Sequence, residues 1–277
     1  MPLAAIVGLV IVLVIGLGSL FARQVSPYDP SLQDLRSRLL PPLSTTQDGR
    51  FFLLGTDHLG RDVFSRVVYG GRVSLTVALA SVTAGGVIGV VIGLLVGYKR
   101  GVLDLIIMRL VDVQLSLPFI LLALSVMSVL GPGLVNIVVV LALTSWLTYA
   151  RLVRSQTLSV RESEYVEAAR ALGCKDLRLV LRHVLPNVIG PAIVLATLET
   201  GRMIVVESGL SFLGLGVPAD TPSWGMMLSD GRLYLSTAWW VATAPGLAIS
   251  ITILAISFLG DWVKQRLDPL SEPIDYR

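Results

Sequence analysis

The sequence predicts an all-α, polytopic membrane protein with six transmembrane helices. Of its 277 residues 54% are hydrophobic and only 15% are charged, and the mean hydropathy is +0.77. A soluble domain of this size carries about 25% charged residues. Six apolar runs each approach the roughly 20 residues that a helix needs to cross a bilayer. The single cysteine, Cys174, excludes an intramolecular disulfide and any cysteine-rich metal site.

The six predicted spans are 3–22, 73–98, 104–130, 134–150, 188–210 and 239–263. The first run is uncharged, and a cleaved signal peptide is its alternative assignment. It lacks the basic start and the Ala-x-Ala cleavage site that such a peptide carries, so a membrane span is preferred. In the second span, Gly85, Gly86, Gly89 and Gly93 favour close packing of helices over any binding chemistry.

Lysines and arginines near the span ends predict the orientation in the membrane. One set of loops is rich in them: Lys99 and Arg100, the stretch 151–182, and the tail 264–277. This set is predicted to be cytoplasmic, with both termini inside. The region 1–72 then holds the first helix and an extracytoplasmic loop, and 73–263 forms the main transmembrane domain.

The outer loop is the exception to this charge rule, because residues 23–72 contain arginines at seven positions. Long loops obey the rule weakly, so the orientation is kept. Within the loop, Thr56 or Asp57 is predicted to cap a short surface helix that runs to Tyr69. His58 is predicted to be a polar surface residue and a poor metal ligand, since no other histidine lies near it.

Residues 163–187 form a polar segment between two predicted spans. Ser163 is expected to cap a helix that ends at Leu172, with Glu164 and Glu167 near its positive end. Gly173 is expected to adopt the left-handed conformation that commonly follows a helix.

A second helix is predicted over 176–185, stopped by Pro186. Leucines and valines at helical spacing predict one apolar face, and arginines lie on another face. The apolar set is Leu177, Val180, Leu181 and Val184, and the basic pair is Arg178 and Arg182. An amphipathic connector lying on the membrane surface is the alternative.

Charged residues inside predicted spans need a reason, because each costs about 2.5–3.5 kcal/mol at mid-bilayer. Arg109 and Asp112 are three residues apart, as are Glu199 and Arg202. Each pair is predicted to neutralise itself, and the second pair has the alternative of lining a water-filled route or meeting a partner. Glu207, near the outer end of its span, is a candidate for an external gate.

Segment 163–187 resembles the EAA loop of ABC importer permeases. The family pattern is Glu-Ala-Ala, three residues, Gly, nine residues, an apolar residue, one residue, and Leu-Pro. The matching residues here are Glu167, Ala168, Ala169, Gly173, His183, Leu185 and Pro186. His183 departs from the apolar position, but His-x-Leu-Pro-Asn is the usual form in the dipeptide, oligopeptide and nickel branch. Stretches 55–66, 108–118, 207–216, 222–225 and 267–269 resemble the same branch, and most closely its C-type subunit.

The resemblance implies a type I ABC importer permease fold, with an EAA coupling loop at about 151–187. It implies as protein partners a second homologous permease, two cytosolic ATPase subunits and an extracytoplasmic substrate-binding protein. Membrane lipid is a further implied partner, and nucleic acid is not expected to bind. The implied location is the cytoplasmic (inner) membrane of a bacterium or archaeon. The implied cargo is a di- or oligopeptide, with nickel complexes or glutathione as alternatives.

The chain contains no Gly-x-x-x-x-Gly-Lys-[Ser/Thr] phosphate loop, so ATP is expected to bind to the partner ATPases and not here. No catalytic, cofactor-binding or metal-ligating residue is predicted, and the chain is not expected to be an enzyme. One rival is an ATP-independent secondary transporter or channel, which would show an internal repeat or interrupted helices around a midplane site. A second rival, an intramembrane hydrolase, would need a catalytic constellation that the sequence does not show.

Overall fold

The computed structural model describes residues 1–218 and 220–267. Most of the predicted tail at 264–277, with part of the motif at 267–269, therefore lies outside the described residues. The predicted all-α architecture is confirmed. The helices are α1 (Leu3–Leu20), α2 (Ala22–Val25), α3 (Val63–Lys99), α4 (Gly101–Ser116), α5 (Phe119–Leu130), α6 (Leu134–Arg161), α7 (Glu164–Ala171), α8 (Asp176–Leu179), α9 (Leu185–Phe212), α10 (Trp224–Gly231) and α11 (Trp240–Leu267).

Three short helical turns and one small strand pair complete the described elements. A π-helical turn, Val180–Val184, joins α8 to α9, and 3₁₀ turns lie at Leu35–Ser37 and Arg232–Tyr234. Strands β1 (Ser44–Thr45) and β2 (Phe51–Phe52) pair antiparallel in the long loop before α3. This hairpin does not change the fold class.

Within the described chain, five helical stretches are long and apolar enough to cross a membrane. They are α1, α3, α6, the continuous stretch from α8 to α9, and α11. Helices α4 and α5 form a sixth span if the two are counted together. The predicted number of six holds on that count.

The third predicted span, 104–130, is broken where the sequence predicted one continuous run. Helices α4 and α5 meet at a bend of 92°. The cause is Pro118, whose ring disfavours the helical conformation in the residue before it. Leu117 accordingly has φ −85° and ψ 131°, and α4 ends there.

Two other predicted boundaries are wrong. The separate surface helix at 56–69 does not exist, because α3 begins at Val63 and continues without a break to Lys99. The Asp62 carboxylate accepts hydrogen bonds from the Ser65 amide (2.8 Å) and hydroxyl (2.6 Å), so Asp62 occupies the capping role expected of Thr56 or Asp57. Burial raises the pKa of Asp62. The helix of the fourth predicted span, 134–150, does not end at Arg151, since α6 runs on to Arg161.

The chain divides into two compact units. The first comprises Met1–Leu79, Met127–Val138 and Thr200–Leu259. One apolar cluster of this unit contains Val63, Met227, Ala238, Trp240 and Val241. The Trp240 indole donates to the carbonyl of Thr56 at 3.1 Å, and the Trp224 indole donates to that of Val67 at 2.9 Å.

The first unit also contains a buried ionic network, formed by Asp57, Arg61, Arg66 and Asp230. Arg61 Nε lies 2.7 Å from Asp57 Oδ2, and Arg66 Nη1 lies 3.5 Å from the same oxygen. Both arginines also approach Asp230, at 3.3 and 3.5 Å. Together with the pair Arg50–Asp34, this network neutralises three of the seven arginines at 23–72 that were the exception to the charge rule.

The second unit comprises Ala80–Val126, Val139–Glu199 and the described residues from Gly260 onward. Here α3 and α6 pack so closely that side chains are excluded from one face of α3. A Cβ atom added to Gly89 would lie 2.5 Å from the Trp146 carbonyl oxygen, and one at Gly93 would lie 2.8 Å from that of Ala150. The predicted packing role is thereby confirmed for Gly89 and Gly93.

Candidate functional site

Segment 163–187 belongs to the second unit and begins with α7. The carbonyl of Ser163 accepts hydrogen bonds from the amides of Val166 (3.0 Å) and Glu167 (3.1 Å). The Ser163 hydroxyl, however, donates back to the carbonyl of Val160 at 2.6 Å. Ser163 is therefore the N-cap residue by position, but its side chain does not cap the helix, contrary to the prediction.

Gly173 ends α7 in the way that the sequence predicted. Its φ is +82°, in the left-handed region. Its amide donates to the carbonyl of Arg170 at 2.9 Å, and the amide of Cys174 donates to that of Ala169 at 3.1 Å. These two bonds define a Schellman motif, which turns the chain sharply after the helix.

Pro186 does not stop the second helix, and this prediction is wrong. The π-helical turn Val180–Val184 leads directly into α9, which begins at Leu185 and includes Pro186 in its first turn. A proline in a regular α-helix lacks the required amide and clashes with the carbonyl four residues earlier. The wider π turn directs hydrogen bonds five residues back, as in the bond from Leu185 to Val180, and so relieves that requirement.

The inward side of the segment is a closed apolar core. Val166, Leu179 and Val184 are fully buried, and they pack with Leu94 of α3 and Val153 of α6. Cys174 is half-buried and packs against the same core. This core holds α7, α8 and the π turn on the rest of the second unit.

The outward side exposes leucines, and here the predicted apolar face is partly wrong. Leu177 and Leu181 were expected to lie with Val184, yet they are 71% and 54% exposed, and Leu179 is buried in their place. Leu172, beside Gly173, is 89% exposed. An open groove of about 570 Å³ lies on this side, lined by Gly173, Cys174, Lys175, Leu177, Arg178, Leu181 and Arg182.

The residues of the EAA-like pattern divide between the two sides. Glu167, Ala168, Gly173 and Pro186 are exposed. Ala169 and Leu185 pack against the core, and His183 is half-buried. The pattern therefore combines a turn, a packing contact and exposed positions.

Asn187 completes the His-x-Leu-Pro-Asn pattern, and no role of its own was predicted for it from the sequence. Its side-chain amide donates to the carbonyl of His183 at 2.7 Å and to the hydroxyl of Tyr165 at 3.1 Å. The rings of Tyr165 and His183 lie 6.4 Å apart. Asn187 thus joins α7 to the start of α9.

Glu207, the candidate gate residue, belongs to the first unit and is fully buried. Its carboxylate accepts hydrogen bonds from the hydroxyls of Ser74 (2.8 Å), Ser211 (2.7 Å) and Ser208 (3.4 Å). Ser74 belongs to α3, so the carboxylate joins α3 to the C-terminal end of α9. A buried carboxylate needs such donors, because they replace the hydrogen bonds with water that it gives up on burial.

The other intramembrane charges differ in burial. On α9, Glu199 is buried and Arg202 is exposed. Arg109 and Asp112 of α4 are both exposed, and neither takes part in an ion pair with the described residues. The expected neutralisation of Arg109 by Asp112 is therefore wrong. Asp104 of the same helix instead pairs with Arg154 of α6, with Nη2 and Oδ2 2.6 Å apart.

Among the described residues, no group of three His, Cys, Asp or Glu side chains is arranged to hold a metal ion. His58 stacks on Tyr234, with ring centroids 5.4 Å apart, and is half-buried rather than a surface residue. The Nδ1 atom of His58 is buried without a hydrogen-bond partner in the described chain.

These features match a known class of protein. The chain belongs to the family of binding-protein-dependent transport system inner membrane components, whose model matches residues 89–272. That match contains the whole of segment 163–187. Residues 4–42 match a second model, the N-terminal transmembrane domain of oligopeptide transport permease C. The chain is therefore a multi-pass permease subunit of the inner membrane, and not itself an enzyme.

Three relatives named as permeases are similar to this chain over nearly its whole length. The chain is 45% identical over 266 residues to the di/tripeptide transport system permease protein DppC of Pseudomonas aeruginosa, covering 96% of this chain and 88% of that protein. It is 41% identical to the dipeptide permease DppC of Bacillus subtilis, covering 96% and 81%. It is also 40% identical to the glutathione permease GsiD of Pectobacterium atrosepticum, covering 96% and 86%.

A solved structure shares the fold. An inward-facing form of the MetNI methionine ABC transporter contains a chain that matches with a TM-score of 0.61 and 22% identity. The match covers 73% of this chain and 96% of the other. The predicted ABC importer permease fold is confirmed.

Proposed function

We propose that this chain forms half of the translocation pathway of an ATP-driven importer of di- or oligopeptides. Segment 163–187 would dock on a cytosolic ATPase subunit. The observation that carries this proposal is the outward side of that segment, where Leu172, Leu177 and Leu181 are exposed beside Arg178 and Arg182. Exposed apolar side chains with a basic rim are typical of a surface that another protein covers.

The proposed complex contains a second homologous permease, two ATPase subunits and an extracytoplasmic binding protein. The family description supports the binding protein. The orientation, with both termini cytoplasmic, has support from the ion pairs that neutralise Arg50, Arg61 and Arg66 in the outer loop. The main objection to this orientation was the number of arginines in an extracytoplasmic loop, and paired arginines weaken that objection.

A peptide is favoured as cargo by the names of relatives that are 45% and 41% identical over nearly the whole chain. Glutathione is the second candidate cargo, because a relative that is 40% identical is named a glutathione permease. Nickel complexes stay an alternative from the sequence resemblance alone. Uptake of labelled dipeptide and labelled glutathione by a strain with only this importer would separate the first two.

Within the proposed pathway, Glu199, Arg202 and Glu207 are the candidate residues. Since Arg202 is exposed on α9, we expect Arg202→Ala to lower uptake while the complex still assembles. Glu207→Ala leaves hydroxyls without their acceptor and should lower the amount of assembled complex, whereas Glu207→Gln keeps an acceptor. Assembly and uptake are measured separately for each variant. Normal uptake per assembled Arg202→Ala complex would remove Arg202 from the pathway.

The coupling role is tested at Gly173 and Glu167. Proline cannot adopt φ +82° and has no amide for the carbonyl of Arg170, so Gly173→Pro should destroy the turn between α7 and α8. Glu167→Lys reverses an exposed charge near the start of α7. We expect both variants to reach the membrane at normal levels and to import no peptide. Normal uptake by both would refute the coupling role.

A further inference from the structure

Tyr98, in the last turn of α3, contacts segment 163–187 and the end of α6 through several of its groups, although it belongs to none of the motifs that identify the family. Its side chain is buried, with 8% of the residue exposed. Its hydroxyl donates to Asp176 Oδ1 of α8 at 2.7 Å. Its main-chain carbonyl accepts a hydrogen bond from the Arg161 guanidinium at the end of α6.

Two arginines also lie over the Tyr98 ring. The guanidinium carbon of Arg161 is 5.5 Å from the ring centroid, and that of Arg170, in α7, is 5.9 Å from it. Both distances are within the range of cation–π attraction. The Tyr98 side chain is therefore attached to α6, α7 and α8 by three polar contacts, and its main-chain carbonyl adds a fourth contact to α6.

The stretch of α3 that carries Tyr98 has little freedom to move independently. A Cβ atom added to Gly97 would lie 2.8 Å from Thr157 Cβ, and Gly93 is equally close to α6. Close-packed helices transmit displacement instead of absorbing it. A displacement of α7 or α8 would therefore pull on Tyr98 and, through the close packing of Gly93 and Gly97, on α3 and α6.

We propose that Tyr98 is a positioning residue that transmits the movement of segment 163–187 to α3, without itself contacting the ATPase or the cargo. This inference rests on the proposed function of that segment. The Tyr98 ring holds the arginines of α6 and α7, and its hydroxyl holds α8, so the segment moves with α3 as one body.

The test uses the whole complex, with both permeases, the ATPase subunits and the binding protein, reconstituted in proteoliposomes. Tyr98→Leu removes the ring and the hydroxyl, and Tyr98→Phe removes only the hydroxyl. Tyr69→Phe is the matched control, because Tyr69 lies on the same helix and its hydroxyl has no hydrogen-bond partner in the described chain. The readout is peptide imported per ATP hydrolysed, normalised to assembled complex, which a purely structural defect would not change.

We expect Tyr98→Leu to lower peptide imported per ATP about ten-fold or more, since it removes both kinds of contact. Tyr98→Phe should lower it about two- to ten-fold, the effect of one hydrogen bond, and Asp176→Ala should reproduce that loss. The double variant Tyr98→Phe/Asp176→Ala should be no worse than either single variant.

A wild-type ratio of import to ATP hydrolysis in Tyr98→Leu would overturn the inference. If Tyr98→Leu does not assemble, Tyr98→Phe decides, and equality with Tyr69→Phe would overturn it. Uncoupling by Gly173→Pro with normal Tyr98 variants would refute only the role of Tyr98. Normal coupling in Gly173→Pro would refute the proposed function itself.

Discussion

Charged side chains are arranged in opposite ways in the two regions that carry the family's motifs. In the first unit, Arg61 and Arg66 are buried and both pair with Asp57 and Asp230. In segment 163–187, Arg178 and Arg182 are exposed, without an ion pair to the described residues, beside exposed leucines. Buried charges must be paired within the chain, whereas unpaired charges beside apolar side chains indicate a surface for another molecule.

The largest effect on stability is expected where a buried charge loses its partner. Asp57→Ala leaves two buried guanidinium groups with only Asp230, which should cost about 3–5 kcal/mol of the free energy of unfolding. The control is Asp48→Ala, whose side chain is 81% exposed and lies 3.8 Å from Arg50. Thermal unfolding in detergent should show a large loss for the first variant and none for the second. Equal stability would mean that the ionic network does not hold this region together.

A smaller effect should separate the two sides of segment 163–187. Leu179 is fully buried and Leu177 is 71% exposed, although both belong to α8. Leu179→Ala should cost about 2–5 kcal/mol of stability through the cavity it leaves. Leu177→Ala should change stability by about 0.5 kcal/mol or less.

Function should follow the opposite pattern for this pair of leucines. Per folded molecule, Leu177→Ala is expected to weaken co-purification of the ATPase, while Leu179→Ala retains it. If Leu177→Ala bound the ATPase as wild type does, the exposed leucine would have no part in docking.

The features that the sequence predicted correctly depend mostly on residues that are close together in the chain. Gly173 was predicted correctly because the conformation after a helix depends on local chemistry that glycine satisfies. Pro118 lies at the break between α4 and α5. The break was not predicted, because the apolar run 104–130 is long enough to form one continuous span. The sequence also predicted the membrane spans, their approximate number and the packing glycines, since each is marked by a pattern of residues close together in the chain.

Contacts between distant residues account for most of what the sequence missed. Arg61 and Asp230 are separated by 169 positions, and nothing local to either residue indicates the other. The packing of α8 against α3 and α6 determines two further features. They are the π turn before Pro186 and the burial of Leu179 in the position expected of Leu177. The hydroxyl of Ser163 was misassigned because a serine before a helix usually bonds forward, and here it bonds back to Val160.

The claim that the outward side of segment 163–187 docks on the ATPase can be tested by site-specific photo-crosslinking. A photoreactive amino acid replaces Leu177 in one variant and Leu235, which is 56% exposed in the first unit, in the other. Both are irradiated in the assembled complex. We expect position 177 to cross-link to the ATPase subunit and position 235 not to do so. A cross-link from position 235, or none from position 177 in a complex that retains its ATPase, would contradict the account.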